Sequence, residues 1–252
     1  MTRRRFYAPR LAFSPDEKSL VLDADETLHL RDVLRLRPGD EVFVFDGTGR
    51  EFSCAVAAIN RNSSDLTVLS EVEPSRPESH LDLSLAVALL KHEKFDLVVQ
   101  KATELGVNRI IPVTSDRADV RLRADEQAGK RVSRWQRIAL EAAKQSGRAR
   151  VPEIAAPVSF ADFTHDKAEA DGALLFAERA GQSFGKACES FTEPLHRLVA
   201  LIGPEGGWTD AEIETARESG WGIVTLGGRI MRAETAAIAI IALLQHRFGD
   251  LS

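Results

Sequence analysis

The sequence predicts an α/β protein in two parts: a small N-terminal β-barrel, then a mostly parallel sheet covered by helices on both faces. Three observations predict it. Several short strand patterns crowd into the first third of the chain, as in small barrels. From Leu81 onward, apolar strand patterns alternate with helical ones across short loops, the pattern of parallel βαβ units. Between the two regions "EPSRPES", residues 73–79, carries two prolines and two serines and reads as a linker. The domains expected are therefore 1–73 and 80–252.

Each element has its own signal. "TLHLRDVLRLRPGDEV" gives a short helix with Leu30, Val33 and Leu34 at i, i+3, i+4, closed by "RPGD". "DEVFVFDGTGREFSCAVAAI" gives a strand with Val42 and Val44 on one face and Phe43 and Phe45 on the other, a "DGTG" turn and a second strand. "LTVLSEVE" is another strand. "LDLSLAVAL" begins the second part as a buried strand. "EKFDLVVQKATELGV" then puts Phe95, Val98, Val99, Ala102 and Leu105 on one helical face, with Gly106 as the stop. "RIIPVTS" is a strand. "KRVSRWQRIALEAAKQSGR" is a long helix burying Trp135, Ile138, Ala139 and Ala142, basic on its other face and ended by Gly147. "GALLFAE" and "RLVALIG" are strands. "TDAEIETARESG" is a helix with a Thr209/Glu212 capping box and Gly220 as its stop. "GIVTLG" is the last strand, and "AETAAIAIIALLQHRFG" a nearly all-apolar helix.

Composition narrows the class. With 44% hydrophobic and 28% charged residues the chain reads as an ordinary globular protein. No apolar run is long enough for a membrane helix, and the basic start "MTRRRFYAPR" lacks the apolar stretch of a signal peptide. Cys54 and Cys188 are far apart and outside any C-x-x-C spacing, which argues against disulfides or zinc and fits a reducing cytoplasm. The net charge of −5 hides an asymmetry. Residues 1–10 carry four arginines and no acid, and residues 117–150 carry ten Lys and Arg against four acids. Two basic segments on an acidic body point to a local anionic, phosphate-bearing partner, the alternative being solvated helix faces.

Two glycine-dense joints follow strands, "IGPEGGWT" and "LGGRIMRAETA". Ligands of open α/β sheets gather beyond the carboxyl ends of strands. These joints are not phosphate loops: Trp208 follows Gly207 where a Walker loop needs Lys and then Ser or Thr, and Glu205 would repel a phosphate. A cationic or neutral ligand fits better. Plain turn chemistry is the alternative for either joint alone. Arg232 stands near a helix N-terminus, where the macrodipole disfavours a cation, so its charge needs a reason.

"IGPEGGWTDAEI" followed by "LGGRIMRAETAAIAIIALLQHRFGD" resembles the C-terminal signature of the SPOUT RNA methyltransferases, and more narrowly that of the RsmE family, the 16S rRNA (uracil-N3)-methyltransferases. "RRFYAPR", "HLRDVLRLRPGDEVFVFDGTG", "KFDLVVQKATELGV" and "RWQRIALEAAKQSGRARVPEI" agree with it in order. The resemblance implies a C-terminal α/β trefoil-knot domain that binds S-adenosylmethionine, an N-terminal PUA-like barrel that helps hold RNA, and a homodimer formed beside the cofactor. On this analogy Leu201, Ile202, Gly203, Pro204, Glu205, Gly206 and Gly207 wrap the cofactor from one joint. Leu226, Gly227, Ile230, Met231, Arg232, Glu234, Thr235 and Ala236 wrap it from the other, and Phe176 and Glu178 lie close by. Glycine-lined walls let backbone groups read adenine, and a carboxylate such as Glu205 is tolerable beside a sulfonium.

The implied reaction is methyl transfer to N3 of a specific uridine in 16S rRNA of the small ribosomal subunit. N3 carries a weakly acidic proton, so positioning and electrostatics should dominate. Arg232 is the catalytic candidate, stabilising the anion at the uracil carbonyls; an ion pair with Glu205 or Glu234 is its structural alternative. Lys101 and Glu104 match family motif positions or form a solvated face. Arg3, Arg4, Arg5, Arg10, Arg131, Arg134, Arg137 and Lys144 would bind RNA phosphates, with Gln145 and Arg148 nearer the substrate base. Uridine N3 is hidden by base pairing, so the target must be unpaired or flipped out. The rival readings are a SPOUT enzyme acting on a ribose 2′-OH or a tRNA base, and a non-catalytic RNA-binding protein.

Overall fold

The computed structural model describes residues 3–91, 93–118, 126–165, 170–191 and 194–251; residues 119–125 of the second basic segment, with Arg121 and Arg123, lie outside the described residues. The chain falls into two compact units, Met1–Glu78 with Ala143–Val151, and Ser79–Ala142 with Pro152–Ser252.

The first unit is built on one sheet of β1 (Arg5–Tyr7), β2 (Ser19–Leu22), β3 (Glu41–Phe45), β4 (Glu51–Ile59) and β5 (Ser64–Val72), in the order β1-β3-β4-β5-β2. β1 runs parallel to β3 and the other pairs are antiparallel. The end strands β1 and β2 do not pair with each other, so the expected barrel is a half-barrel. Register shifts between Ser53 and Cys54 and between Val56 and Ala58 bend the long β4–β5 ribbon around its core. That core takes Val42 and Val44 from the alternating face of β3, together with Phe6, Leu20, Leu22 and Leu66. Helix α1 (Ala24–Leu28) is capped by the Asp23 carboxylate, which accepts from Glu26 N at 2.9 Å, and continues as a π-turn over His29–Val33. The wider turn rotates later residues off the α-helical period. Only Leu30 of the expected trio is buried, and Val33 and Leu34 are exposed.

The second unit runs β6 (Asp82–Ala88), α2 (Glu93–Glu104), β7 (Arg109–Thr114), α3 (Glu126–Ser146), β8 (Glu153–Ile154), β9 (Val158–Ser159), α4 (Phe160–His165), β10 (Gly172–Phe176), α5 (Phe184–Glu189), β11 (Arg197–Ile202), α6 (Asp210–Glu218), β12 (Gly222–Val224) and α7 (Ala233–Phe248), the expected alternation with the short β8, β9, α4 and α5 added to it. Residues 143–146 of α3 are grouped with the first unit. The strands lie in the order β12-β10-β11-β6-β7-β8, with β9 also on β7, and every pair is parallel. β12 sits beyond β10 although it follows β11 in sequence, so the β11–α6–β12 connection passes β10 to reach the edge. This is the α/β-knot fold class that the resemblance implied. It sets the carboxyl ends of three adjacent parallel strands, Phe176, Ile202 and Val224, side by side.

Both faces of this sheet are covered. Phe160, Trp208, Ile213, Ala216 and Trp221 pack on Ala86, Val113 and Leu175 from the side of α4 and α6. Helices α2 and α7 pack together and bury Phe95, Val98, Val99 and Ala102 against the set Ile240, Ile241 and Leu244. The Thr209/Glu212 capping box of α6 is present in both directions. Trp135, Ala139 and Ala142 are buried on α3, whereas Ile138 is half-buried. Among the described residues no helix is long and apolar enough to cross a membrane.

Candidate functional site

The first glycine joint is a tight turn held from several directions. Gly207 N donates to the Pro204 carbonyl at 3.0 Å, and Gly207 takes φ +67°. Trp208 is fully buried and its Nε1 donates to the Phe176 carbonyl at 3.0 Å, tying the end of β10 to the turn after β11. Gly203 lies against that indole: a Cβ there would stand 3.0 Å from the ring, so the sequence has no room for a side chain. Arg117, in the loop after β7, donates to the Gly206 carbonyl at 3.2 Å. Arg179, in the loop after β10, donates to the Trp208 carbonyl at 2.9 Å and pairs with Asp210 and Glu178. A Cβ on Gly207 would strike the Glu178 carboxylate.

The second joint leaves β12 and enters α7. Thr225 N donates to the Gln182 carbonyl and Ala177 N to the Val224 carbonyl, both at 2.9 Å, lacing it to the loop after β10. Gly181 makes this approach possible, since a Cβ there would meet the 224–225 backbone at 2.6 Å. Gly227 and Gly228 follow at φ +72° and +76°, a conformation that favours glycine, with open space where a Cβ would stand. Arg232 is the N-cap residue of α7.

Together these joints enclose a cavity of about 570 Å³ at the carboxyl ends of β10, β11 and β12. Of the cofactor candidates, Phe176, Ile202, Gly203, Pro204, Glu205, Gly206, Gly207, Leu226, Gly227, Ile230, Met231, Arg232 and Ala236 line it. Leu201, Glu234 and Thr235 do not. Leu201 points into the sheet core because side chains alternate along β11, and Glu234 is turned in behind the first turn of α7. Trp208 and Thr225 also line the cavity and were not foreseen from the sequence; Gly228 and Arg229, within the second joint, line it too. The strand-to-helix position of both joints was the signal that could have included them.

The charges are arranged unevenly. Lys94 Nζ donates to Glu205 Oε1 at 2.9 Å and stands 3.9 Å from Glu234 Oε2. This hydrogen bond raises the Lys94 pKa above its ordinary value. The ion pair foreseen for Arg232 with Glu205 or Glu234 is thus made by Lys94. Arg232 is exposed, and its side chain has no hydrogen-bond or ion-pair partner among the described residues. Lys101 and Glu104 pair with each other at 2.9 Å on α2, as a solvated face does.

The first unit carries the basic candidates around a separate groove of about 1010 Å³, lined by Arg3, Arg4, Arg5, His29, Arg76, Lys144 and Gln145 among others. Most of its cations are already engaged. Arg3 and Arg5 hold the fully buried Glu51 at 2.8 and 2.9 Å, and Lys144 holds Glu26 at 2.6 Å. Arg148 is 5% exposed with its guanidinium on Glu78 at 2.7 Å, so an RNA phosphate would have to displace that acid. Arg4, Arg76 and Gln145 are exposed, with side chains unpaired among the described residues. Arg76, inside the expected linker, was not among the candidates. Arg10 pairs with Glu17 away from the groove. Arg131, Arg134 and Arg137 are exposed on α3 in the second unit, where Arg134 pairs with Asp96.

Comparison with known proteins agrees with this geometry. A family model described as RNA methyltransferase domain matches residues 77–245, and one described as RNA methyltransferase PUA domain matches residues 22–69. The ribosomal RNA small subunit methyltransferase E of Synechocystis sp. is 34% identical over 93% of this chain and 76% of its own length. That of Bacillus subtilis is 30% identical over 90% of this chain and 89% of its own. The crystal structure of the Neisseria gonorrhoeae enzyme of that name, bound to S-adenosylmethionine, superposes with a TM-score of 0.86 at 32% identity, covering 100% of both chains. A domain match over residues 77–245, relatives at this identity and the adjoining strand ends all agree: the chain belongs to the ribosomal RNA small subunit methyltransferase E (RsmE) family of RNA methyltransferases.

Proposed function

We propose that this protein methylates N3 of a specific uridine in 16S rRNA of the small ribosomal subunit, using S-adenosylmethionine. The observation that carries this reading is the glycine-walled cavity where β10, β11 and β12 end. Its residues fit that cofactor. The volume of about 570 Å³ suits a cofactor-sized ligand. The bare backbone at Gly227 and Gly228 offers N–H and C=O groups to an adenine, and Glu178 and Glu205 on the wall favour a cation over a phosphate. Two solved relatives, from Neisseria gonorrhoeae and Legionella pneumophila, hold S-adenosylmethionine and support the assignment.

When bound, the cofactor supplies a methyl group on a sulfonium. The protein's own contribution is to bind, orient and stabilise. The two joints hold the cofactor, and the Trp208 clamp keeps the first of them rigid. Arg232, whose guanidinium is unspent on the fold, stabilises the negative charge that uracil develops at its carbonyls as N3 loses its proton. Arg4 and Arg76 in the first unit, with Arg131 and Arg137 on α3, meet RNA phosphates, and Gln145 faces the RNA nearer the substrate base; Arg3, Arg5 and Lys144 shape the groove. Exposed apolar side chains on α2, α7 and the second joint (Leu97, Leu243, Ile230) support a homodimer formed beside the cavity. The protein works in the cytoplasm, where its substrate is assembled.

The test is methylation in vitro of small ribosomal subunits that lack the modification, with the product nucleoside identified by mass spectrometry. 3-Methyluridine is expected. A methyl on ribose or on another base would overturn the assignment, and failure to take up S-adenosylmethionine would leave only an RNA-binding role.

A further inference from the structure

We propose that Lys94 is a positioning residue of the cavity, a clasp whose ammonium gathers Glu205 of the first joint and Glu234 of α7 and so fixes the two walls relative to each other. The clasp rests on reading this cavity as the S-adenosylmethionine site.

Lys94 is the second residue of α2, where the helix macrodipole disfavours a cation. Its surroundings account for it. Glu205 Oε1 is 2.9 Å from Nζ and Glu234 Oε2 is 3.9 Å from it, and the acids come from elements over 100 residues further along the chain. Glu234 Oε2 is buried and accepts no hydrogen bond among the described residues, so the ammonium is the charge that compensates it. Without Lys94, two carboxylates would face each other with no cation between them, and the first joint would lose its tether on this side. Arg117 and Arg179 hold the same turn through backbone carbonyls at its other end, from the loops after β7 and β10. Lys94 also answers the two acids that were the structural alternative for Arg232, which has no ion-pair partner among the described residues.

A half-exposed ion pair of this kind adds little to global stability. Its contribution is to order the wall before the ligand arrives, which is an affinity effect. Lys94→Met is therefore expected to raise both the calorimetric Kd and the KM for S-adenosylmethionine, by about three- to tenfold. The kcat should stay within about twofold and the melting temperature should hardly move. Lys94→Arg should restore affinity. Glu205→Gln should weaken binding in the wild-type background and have less effect in the Lys94→Met background, because the pair then no longer exists to be broken. The clasp is overturned if Lys94→Met binds the cofactor like wild type, if the two substitutions act additively, or if kcat falls while KM holds. Wild-type protein that bound no S-adenosylmethionine would overturn the cofactor reading and the clasp with it, whereas indifferent Lys94 variants of a binding protein overturn the clasp alone.

Discussion

The indole nitrogen of Trp208 donates to the carbonyl of Phe176 at 3.0 Å, and this single bond couples the end of one strand to the turn that leaves its neighbour. Phe176 and Ile202 are register partners on β10 and β11, so the bond acts where the cavity floor is laid. Trp208→Phe keeps an aromatic ring and leaves the carbonyl unanswered in a dry site. A loss of about 1–3 kcal/mol is expected, seen as a lowered midpoint in denaturant unfolding with unchanged slope. Cofactor affinity should fall with it, since Gly203 and Gly207 are placed by the same ring and turn. A variant of wild-type stability would show that the bond does not hold the turn.

Arg232 stands at the N-cap of α7, lines the cavity and spends its charge on no acid of the described fold. A group that answers charge only as the reaction proceeds should affect turnover and not ground-state binding. Arg232→Ala is expected to lower kcat by about 100-fold with the S-adenosylmethionine Kd unchanged. Single-turnover rates and calorimetry on the same preparation separate the two. Near-normal turnover would remove Arg232 from the chemistry.

Much of this architecture is legible in the sequence, and the limits are physical. The alternation of β6, α2, β7, α3, β10, β11, α6 and α7 shows as apolar runs and helical periods because each of these elements is long enough to repeat its pattern. β1 and β2, with three and four residues, are too short for that, and so are α4 and α5. The joints were recognisable because glycine, proline and an acid follow apolar strands. What could not be read is which residues reach them from afar. Lys94, Arg117 and Arg179 sit in separate segments, and their partners are fixed by sheet order and not by spacing. The basic face of α3 and the residues just after it misled for a related reason. Arg131 and Arg137 are exposed, but Lys144 on α3 and Arg148 beyond its end turn onto Glu26 and Glu78, acids more than 60 residues earlier.

The groove of the first unit distinguishes free cations from committed ones. Arg4 and Arg76 line it without an ion-pair partner among the described residues, whereas Arg10 pairs with Glu17 elsewhere. Removing one cation that neutralises a phosphate should lower the slope of log K against log salt by about 0.7–0.9. Arg4→Gln and Arg76→Gln are each expected to weaken RNA binding and flatten that slope by one such step, and Arg10→Gln to do neither. Filter binding across a salt series measures it. Slopes equal to wild type in the first two variants would move the RNA off this groove.

Glu26 is a buried carboxyl whose pKa is raised, mainly by loss of hydration, against the opposing pull of Lys144. One of its oxygens, Oε2, is buried without a hydrogen-bond partner among the described residues. In the folded protein it therefore holds its proton to a higher pH than in the unfolded chain. Between those two values the native state binds more protons, so the stabilisation is complete below the unfolded pKa and is lost as pH rises through the folded one. Acids at the surface such as Asp16, the half-buried Glu17 and Asp210 have lowered values and act in the opposite sense at more acidic pH, which makes the raw profile of the wild type a mixture. Comparison with Glu26→Gln isolates the single group, because glutamine imitates the protonated form at every pH. The unfolding free energy of the wild type relative to Glu26→Gln is expected to fall as pH is raised from about 4.5 toward neutrality. A constant difference across that range would mean that Glu26 titrates like a solvated carboxyl, and a rising one that the Lys144 ion pair outweighs burial.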